Sequence, residues 1–308
     1  MIVNYRLGRR FLFLISFISL LFPSCKYKVK DLKNVSFKPI IGIGYTEVRR
    51  RLNTGRSFDN YGYEVNPEWR MTFISKDSTS IFSPDSNRFL TFPLMLDHDS
   101  LFYTGNTWLR AKKVTKDSLI FQVMQVETNV IYLLHSNVYM TFYANDYIKR
   151  KNLNLAQLQK PDHADTVFVR QRAALANQHP DTLFAAREPV VLKSKSPFVK
   201  VEKEIVPRTR ENHYDTSDSY MDPKYNITIR HAYQDFDYSF KALVDTSGQI
   251  HFVKSLIYTL PEYQESTIKI IKGIIDGYLK AYVSVKPGST LGIVHSSMIT
   301  INVDGRKK

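Results

Sequence analysis

Residues 236–257, FDYSFKALVDTSGQIHFVKSLI, carry the clearest structural pattern of the chain. From residue 236 to residue 244 apolar side chains alternate with mostly polar ones, and this period of two is typical of a strand with one buried face. Residues 245–248 (DTSG) then form a tight connection into a second run, 249–257. The stretch predicts a β-hairpin.

A helix and a closing strand follow this hairpin. Pro261 begins a segment in which apolar residues recur at helical spacing, although Gly273 and Gly277 weaken it. The apolar positions of this helix are Ile268, Ile271, Ile275 and Tyr278, with Ile270, Ile274 and Leu279 beside them. Residues 299–303 (ITINV) alternate again and predict a strand. The order predicted for residues 225–305 is therefore ββαβ.

This order and its turn residues resemble the C-terminal domain of TonB-type proteins. The resemblance is carried by residues 240–245 (FKALVD) with Gly248, the helix after Pro261, the turn 286–288 (KPG), Gly292 and the strand 299–303. It implies a periplasmic interaction module that binds a partner by adding a strand to an exposed sheet edge. The candidate partner-binding residues are Ile299, Thr300, Ile301, Asn302 and Val303. Their alternative role is to build the core of a small domain.

Residues 60–148 predict an antiparallel β domain, because period-two runs are separated there by polar turns. A single sheet closed into a barrel and a two-sheet sandwich both fit this pattern. The stretch resembles the small lipocalin-type barrels of bacterial lipoproteins, and this resemblance implies a carrier or sensor of an apolar ligand. The aromatic residues of the stretch favour the alternative, an ordinary packed core. They include Trp69, Phe102, Tyr103 and Trp108.

The N-terminal segment has the features of a lipoprotein signal peptide. Arg6, Arg9 and Arg10 precede the apolar run 11–22, which is shorter than the roughly 20 residues that span a bilayer as a helix. Cys25 is the only cysteine and follows this run directly, in a segment that resembles a lipobox. We therefore expect cleavage after residue 24 and a lipid anchor, with acyl chains such as palmitate, on Cys25. The alternatives are an ordinary secretory signal or an uncleaved short anchor, with Cys25 as an incidental thiol.

The chain is basic, with a formal net charge of +14. Lysines follow Cys25 closely, and residues 49–51 (RRR) add a second basic cluster. For an exported chain this charge favours anionic phospholipid or lipopolysaccharide over nucleic acid as a partner, whereas a merely solvated surface is the alternative. The lysine-rich stretch, which has no acidic residue before Asp31, favours the periplasmic face of the outer membrane. Its lysines are Lys26, Lys28, Lys30 and Lys33, with Lys38 further on.

The predicted organisation is a signal peptide (1–24), a basic tether that leads into the fold (25–59), the β domain (60–148), a linker (149–224) and the TonB-like domain (225–305). The linker is expected to be partly extended because six prolines interrupt it. The fold class is thus α+β overall, with a β-rich antiparallel N-terminal domain followed by a small ββαβ domain.

Sequence patterns that carry chemistry are few. The chain has none of the motifs His-Glu-x-x-His, Gly-x-Ser-x-Gly or a phosphate-binding Gly-Lys loop. Residues 97–99 (DHD) are interpreted as a polar turn rather than a metal or catalytic site, because neighbouring strand residues point to opposite faces. We therefore expect no catalytic residues, no metal and no cofactor. The expected function is a non-enzymatic envelope lipoprotein that binds a protein partner, and the alternative is the apolar-ligand carrier.

Overall fold

A computed structural model describes residues 35–127, 130–132, 136–179, 182, 184–209 and 215–307. β-Strands account for 41% of the structure and helices for 22%. The strands of the N-terminal part are β1 (Gly44–Leu52), β2 (Arg70–Phe73), β3 (Ser78–Ser83), β4 (Arg88–Pro93), β5 (Met95–Leu96), β6 (Leu101–Thr104), β7 (Thr107–Val114), β8 (Ser118–Val123), β9 (Val126–Glu127), β10 (Val130–Ile131) and β11 (Val138–Ala144).

The remaining helices and strands follow β11 along the chain. The helices are α1 (Asn145–Arg150), α2 (Leu155–Gln159), α3 (His163–Gln178), α4 (Asp218–Met221), α5 (Pro261–Ile274) and α6 (Lys280–Tyr282). The strands are β12 (Val191–Ser194), β13 (Val199–Lys203), β14 (Lys224–Arg230), β15 (Phe236–Val244), β16 (Ile250–Ser255), β17 (Val283–Lys286), β18 (Ser289–Thr290), β19 (Ile293–Val294) and β20 (Ser297–Arg306). A 3₁₀ turn (Lys38–Ile40) precedes β1, and a π-helical turn (Ile275–Leu279) joins α5 to α6. No helix within the described ranges is long and apolar enough to cross a membrane.

Nine antiparallel strands form one sheet in the order β4-β3-β2-β1-β11-β8-β7-β6-β5. The sheet curls until its two ends approach each other, so that β4 lies against β6. Thr79 and Thr104 share a hydrogen bond across this gap. The prediction of a β-rich antiparallel N-terminal part is therefore confirmed, and the arrangement is a nearly closed single sheet rather than two stacked sheets.

Aromatic rings fill the interior of this sheet. The segment before β1 inserts Phe37, whose ring lies 4.3 Å from the ring of Phe73 and 4.9 Å from that of Phe102. Phe121 in turn lies 5.0 Å from Phe102 and 5.4 Å from Phe142. All five side chains are buried. The favoured interpretation of a packed aromatic core therefore holds for Phe102, and Trp69 packs against this core. Tyr103 and Trp108 are only half-buried and pair with each other at 5.4 Å instead.

β1 contributes a buried ion pair to the same interior. Glu47 is fully buried, and its carboxylate binds the Arg50 guanidinium in a two-pronged contact, with both N–O distances at 2.7 Å. The carboxylate also accepts the backbone N–H groups of Glu68 and Trp69 at 2.8 and 3.0 Å. The register of β1 against β11 shifts between Glu47 and Arg49, as in a β-bulge, and this shift places the side chains of Glu47 and Arg50 on the same, inward-facing side of the sheet. This arrangement supplies every oxygen of a buried carboxylate with donors.

The basic cluster 49–51 was expected to form part of a basic surface, but most of it lies inside the fold. Only Arg49 is exposed. Arg50 pairs with Glu47, and Arg51 is buried against the carboxylates of Asp162 and Asp165, both 3.3 Å away. Buried charges require a partner, so two of the three arginines serve the interior rather than a basic surface.

The range expected to be a linker, 149–224, contains folded elements. The sequence indicated a helix only at 171–178, but α3 extends over His163–Gln178. Asp162 and Asp165 close a capping box at its start, which satisfies the free N–H groups of the first turn. The buried face of α3 packs against Phe58 and Phe184. The density of prolines in this range led to the prediction of a linker. The capping residues of α3 nevertheless lie between Pro161 and Pro180, where a helix has room to form.

A second sheet of five strands has the order β13-β14-β20-β15-β16. β14 and β20 are parallel, whereas the other neighbours are antiparallel. α5 and the π-helical turn cover one face of this sheet through Ile271, Ile274, Ile275 and Leu279. The π-helical turn includes Gly277, the second of the two glycines that weaken the helical pattern. The opposite face carries polar side chains such as Asn226 and Asn302.

A buried histidine joins the short β18–β19 hairpin to the loop before β20. The Nδ1 atom of His295 lies 3.1 Å from the carbonyl oxygen of Ser296, so this nitrogen carries the proton. Its Nε2 atom lies 3.1 Å from the Thr290 hydroxyl, and its ring lies 5.2 Å from Phe184. Burial lowers the pKa of His295, although the bond to Ser296 and the charge of Glu188 oppose this effect. The side chain is therefore held neutral in the folded protein.

We expect the free energy of unfolding to fall as the pH decreases below about 6.5, because the unfolded chain binds a proton at this histidine more readily than the folded chain does. The loss should continue until the pH passes the lowered folded-state pKa. Urea unfolding between about pH 7.5 and pH 5 measures it. His295→Gln should flatten the pH profile relative to that of the wild-type protein. Equal slopes for wild type and His295→Gln would contradict the assignment.

Candidate partner-binding edge

The structure places the predicted partner-binding residues 299–303 in the middle of the five-stranded sheet. β20 pairs with β14 on one side and with β15 on the other, so that Ile301 lies beside both Tyr225 and Phe240. The side chains of Ile299, Ile301 and Val303 are buried in the core, and Thr300 and Asn302 bond to other residues on the open face. Because both sides of β20 are paired, a partner strand cannot add there. Cys25, the predicted lipidation site, lies outside the described residues.

The free edges of this sheet are β13 and β16. The β13 edge is charged: Lys200 and Glu202 form an exposed ion pair at 2.8 Å, and Lys203 follows. Partial burial lowers the pKa of Lys203. Charged side chains along an edge strand oppose pairing with another chain. The β13 edge is therefore protected.

The β16 edge has the opposite character. In an antiparallel pair of strands, residues that bond across the pair alternate with residues whose N–H and C=O groups point outward. The Asp245 N–H donates to the carbonyl of Gln249, so Gln249 is a bonded position. The backbone groups of Ile250 and Phe252 therefore point away from β15. A bulge near Val253, opposite the step from Lys241 to Ala242, bends the strand. β16 is the last strand of the sheet. Its outer backbone groups are positioned to pair with an added strand.

Exposed apolar side chains follow this edge into the next helix. We call the group the apolar surface; it consists of Val253, Leu256, Ile257, Tyr258, Leu260, Tyr263 and Ile270. Tyr258 is 86% exposed, and the side chains of Tyr263 and Ile270 lie seven residues apart on one face of α5. Solvated turns normally carry polar residues, so a group of exposed apolar side chains of this size is unusual and is typical of interaction surfaces. Sequence reasoning missed it, although the run 256–260 (LIYTL) between two elements was a readable signal.

The turn at the start of β16 is rigid. The Asp245 carboxylate accepts hydrogen bonds from the Ser247 hydroxyl, from the backbone N–H groups of Ser247 and Gln249, and from His251. Burial opposes its ionisation, but these bonds prevail and lower the pKa of Asp245 to about 2. Gly248 has φ +84° and lies so close to β17 that a Cβ would approach the Val285 carbonyl to 3.0 Å. The edge strand is thus fixed at its first residue.

A cavity of about 250 Å³ lies beside this turn, between the hairpin, the π-helical turn and β17. Its apolar wall comes from Ile250, Ile275, Leu279 and Val285, and Lys195, Asp276, Lys280 and Ser284 line its opening together with residues 247–249. π-Helical turns are rare in proteins, and many of those that occur lie at functional sites. The cavity has room for one side chain of a bound segment.

The polar groups at this edge are not arranged for catalysis. Ser247 and His251 both bind Asp245, so the serine hydroxyl donates to the carboxylate and not to an imidazole base. Among the described residues no group of three or more His, Cys, Asp and Glu side chains could hold a metal ion. Asp97 and His98 lie in an exposed turn between β5 and β6 and bind each other at 2.9 Å. The β16 edge offers outward-directed backbone groups and exposed apolar side chains.

Comparison with known protein families gives no matching family model, and comparison with curated proteins gives no match either.

Proposed function

We propose that this protein is a lipid-anchored component of the cell envelope that binds a partner protein without catalysis, through the C-terminal sheet. The anchor is the lipid on Cys25, at the outer membrane and facing the periplasm. The N-terminal sequence supports the anchor, and the resemblance to TonB-type C-terminal domains supports the binding mode. The observation that carries the proposal is the unprotected β16 edge beside the apolar surface.

The proposed occupant is an extended segment of the partner. Such a segment pairs its backbone with the outer groups of Ile250 and Phe252, and its alternate side chains reach the apolar surface. Exposed side chains of both signs lie on the elements that carry this surface: Lys254 and Lys272 as well as Glu262 and Glu265. The partner segment is therefore expected to be apolar, without a net charge imposed by this edge.

The alternative function, a carrier of an apolar ligand, needs space inside the nine-stranded sheet. The rings of Phe37, Phe73, Phe102 and Phe121 occupy the described interior. Their packing favours the partner-binding proposal.

Site-specific photocrosslinking in cells tests the proposed edge. A benzophenone amino acid replaces Val253 or Tyr258 of the full-length protein, and the same amino acid at Lys200 on the charged β13 edge is the matched control. We expect a recurrent adduct of one size from the first two positions and none from the third. Mass spectrometry identifies the partner, and the purified partner should reproduce the adduct. Adducts of equal yield from both edges, or none from β16, contradict the proposal.

A further inference from the structure

One end of the nine-stranded sheet carries aliphatic side chains at the tips of its turns. The chain enters β1 through a tight turn in which the Ile43 N–H donates to the Ile40 carbonyl at 3.1 Å. Ile41 has φ −57° and ψ 133°, and Gly42 has φ +82°, which are the angles of a type II turn. The turn holds the side chain of Ile41 out into solvent.

Backbone hydrogen bonds bring the neighbouring turns to the same end. The Gly42 N–H donates to the carbonyl of Phe73 at 2.8 Å, which places Ile41 next to Ile74 in the β2–β3 turn. The Leu94 N–H donates to the Asp77 carbonyl at 2.8 Å, which adds the start of β5 to the row. We call the exposed aliphatic side chains of this end the apolar rim: Ile41, Ile74, Met95 and Leu96, which are between 39% and 50% exposed.

Lysines flank the apolar rim. Lys38 precedes the Ile41 turn, Lys76 lies in the turn of Ile74, and Lys116 lies in the β7–β8 turn. The Tyr45 hydroxyl of β1 donates to the Lys116 carbonyl at 3.2 Å, which ties the third turn to this end. The three lysines are exposed, and within the described ranges none forms an ion pair.

The same turns also carry acidic residues. Asp117 forms an ion pair with Arg150 at 2.6 Å, and Asp97 binds His98. Asp77 accepts a hydrogen bond from the neutral Ser75 hydroxyl, and Asp99 is exposed, so these two carboxylates keep their charge beside the lysines. Aliphatic tips surrounded by lysines are suited to the boundary between lipid headgroups and acyl chains, where apolar groups enter and cations meet phosphates.

The distance between Cys25 and the apolar rim along the chain permits both to meet one membrane. Val35 and Phe37 pack in the interior core, and Ile41 of the rim follows Phe37 by four residues. Nine residues separate Cys25 from Val35, so a fully extended connection spans at most about 35 Å. This connection is short enough to keep a lipid carried by Cys25 near the folded part and long enough to let the rim share its membrane surface.

We propose that the apolar rim rests on the anionic phospholipid surface of the leaflet that holds the lipid anchor, with Lys38, Lys76 and Lys116 at the phosphates. This inference rests on the proposed lipid anchor but not on the partner-binding edge. It moves the basic membrane contact from residues 49–51, two of which are in internal ion pairs, to the turns that surround Ile41.

Depth-dependent quenching on the lipidated full-length protein tests the rim. The sulfur of a lipidated Cys25 is held in a thioether to diacylglycerol and is not a free thiol, so a cysteine placed at Ile41 or Ile74 is the only site for a thiol-reactive fluorophore. The control is Asn53→Cys, an exposed turn position at the opposite end of β1. The proteins are reconstituted in vesicles of phosphatidylethanolamine and phosphatidylglycerol that contain a lipid with a nitroxide on its acyl chain. We expect loss of fluorescence at positions 41 and 74 and none at position 53.

The parental protein separates the two ways in which this experiment can fail. Labelling of the parental protein would show that Cys25 is a free thiol, which would overturn the anchor in the proposed function. An unlabelled parental protein with equal quenching at positions 41 and 53 would overturn the rim alone. Lys38→Glu combined with Lys76→Glu should reduce quenching at position 41 in these vesicles, and quenching that is unaffected by the two changes would overturn the role of the lysines.

Discussion

Glu47→Ala lowers the free energy of unfolding by about 3–5 kcal/mol, the usual cost of removing one member of a buried ion pair. The substitution leaves the Arg50 guanidinium inside the nine-stranded sheet without its carboxylate. It also deprives the backbone N–H groups of Glu68 and Trp69 of their acceptor. Each unsatisfied buried donor adds to the loss. Urea unfolding followed by tryptophan fluorescence measures the change, because Trp69 adjoins the site.

Glu265→Ala is the control for this substitution. Glu265 also forms an ion pair, with Lys269 at 3.3 Å, but its side chain is 86% exposed on α5. Exposed pairs contribute little, so the free energy of unfolding should change by less than about 0.5 kcal/mol. Similar effects of the two substitutions would show that the burial of Glu47 does not determine its contribution.

Tyr258→Ala decreases partner binding by about tenfold or more, as expected for an aromatic residue at the centre of an interface. The side chain projects from the loop directly after β16, within the apolar surface. Because it is exposed in the free protein, the melting temperature should remain unchanged. The measurement is the yield of the adduct from a benzophenone at Val253, with the partner at limiting concentration.

Tyr233→Ala provides a matched comparison. Tyr233 is 85% exposed, almost as much as Tyr258, but it lies in the loop between β14 and β15 rather than beside the β16 edge. Its removal should leave the adduct yield at the wild-type level. Equal losses from both tyrosines would mean that binding does not depend on the apolar surface, and no loss from either would remove Tyr258 from the interface.

The alternation of apolar and polar residues predicted secondary structure correctly where a strand has one buried and one exposed face. The hairpin expected at 236–257 corresponds to β15 and β16, and the helix expected after Pro261 corresponds to α5. β1 was not anticipated, because its sequence (GYTEVRRRL) carries four charged residues in a range assigned to a tether. Three of these charged side chains form internal ion pairs. Local hydropathy predicts that they are exposed, whereas the structure places them inside. Only the three-dimensional position of their partners reveals the strand.

The location of the binding edge depends on strand order, which alternation does not encode. The pattern of residues 299–303 shows that Ile299 and Ile301 share a face, and both are buried. It does not show which strands lie on either side of them. β14 precedes the predicted hairpin and pairs with β20 in parallel, which turns the expected edge strand into a central one. The edge is consequently transferred to β16.

The central place of β20 also has a consequence for biogenesis. Lys224 of β14 pairs with Thr300, which lies 76 positions later in the sequence, and β15 pairs with the same strand. A chain that emerges N-terminus first can form the β15–β16 hairpin early, but the two halves of the sheet stay separate until residues 297–306 have emerged. An incomplete chain therefore lacks the finished sheet beneath β16. The proposed partner binding is in this way restricted to molecules whose C-terminal strand has joined the sheet.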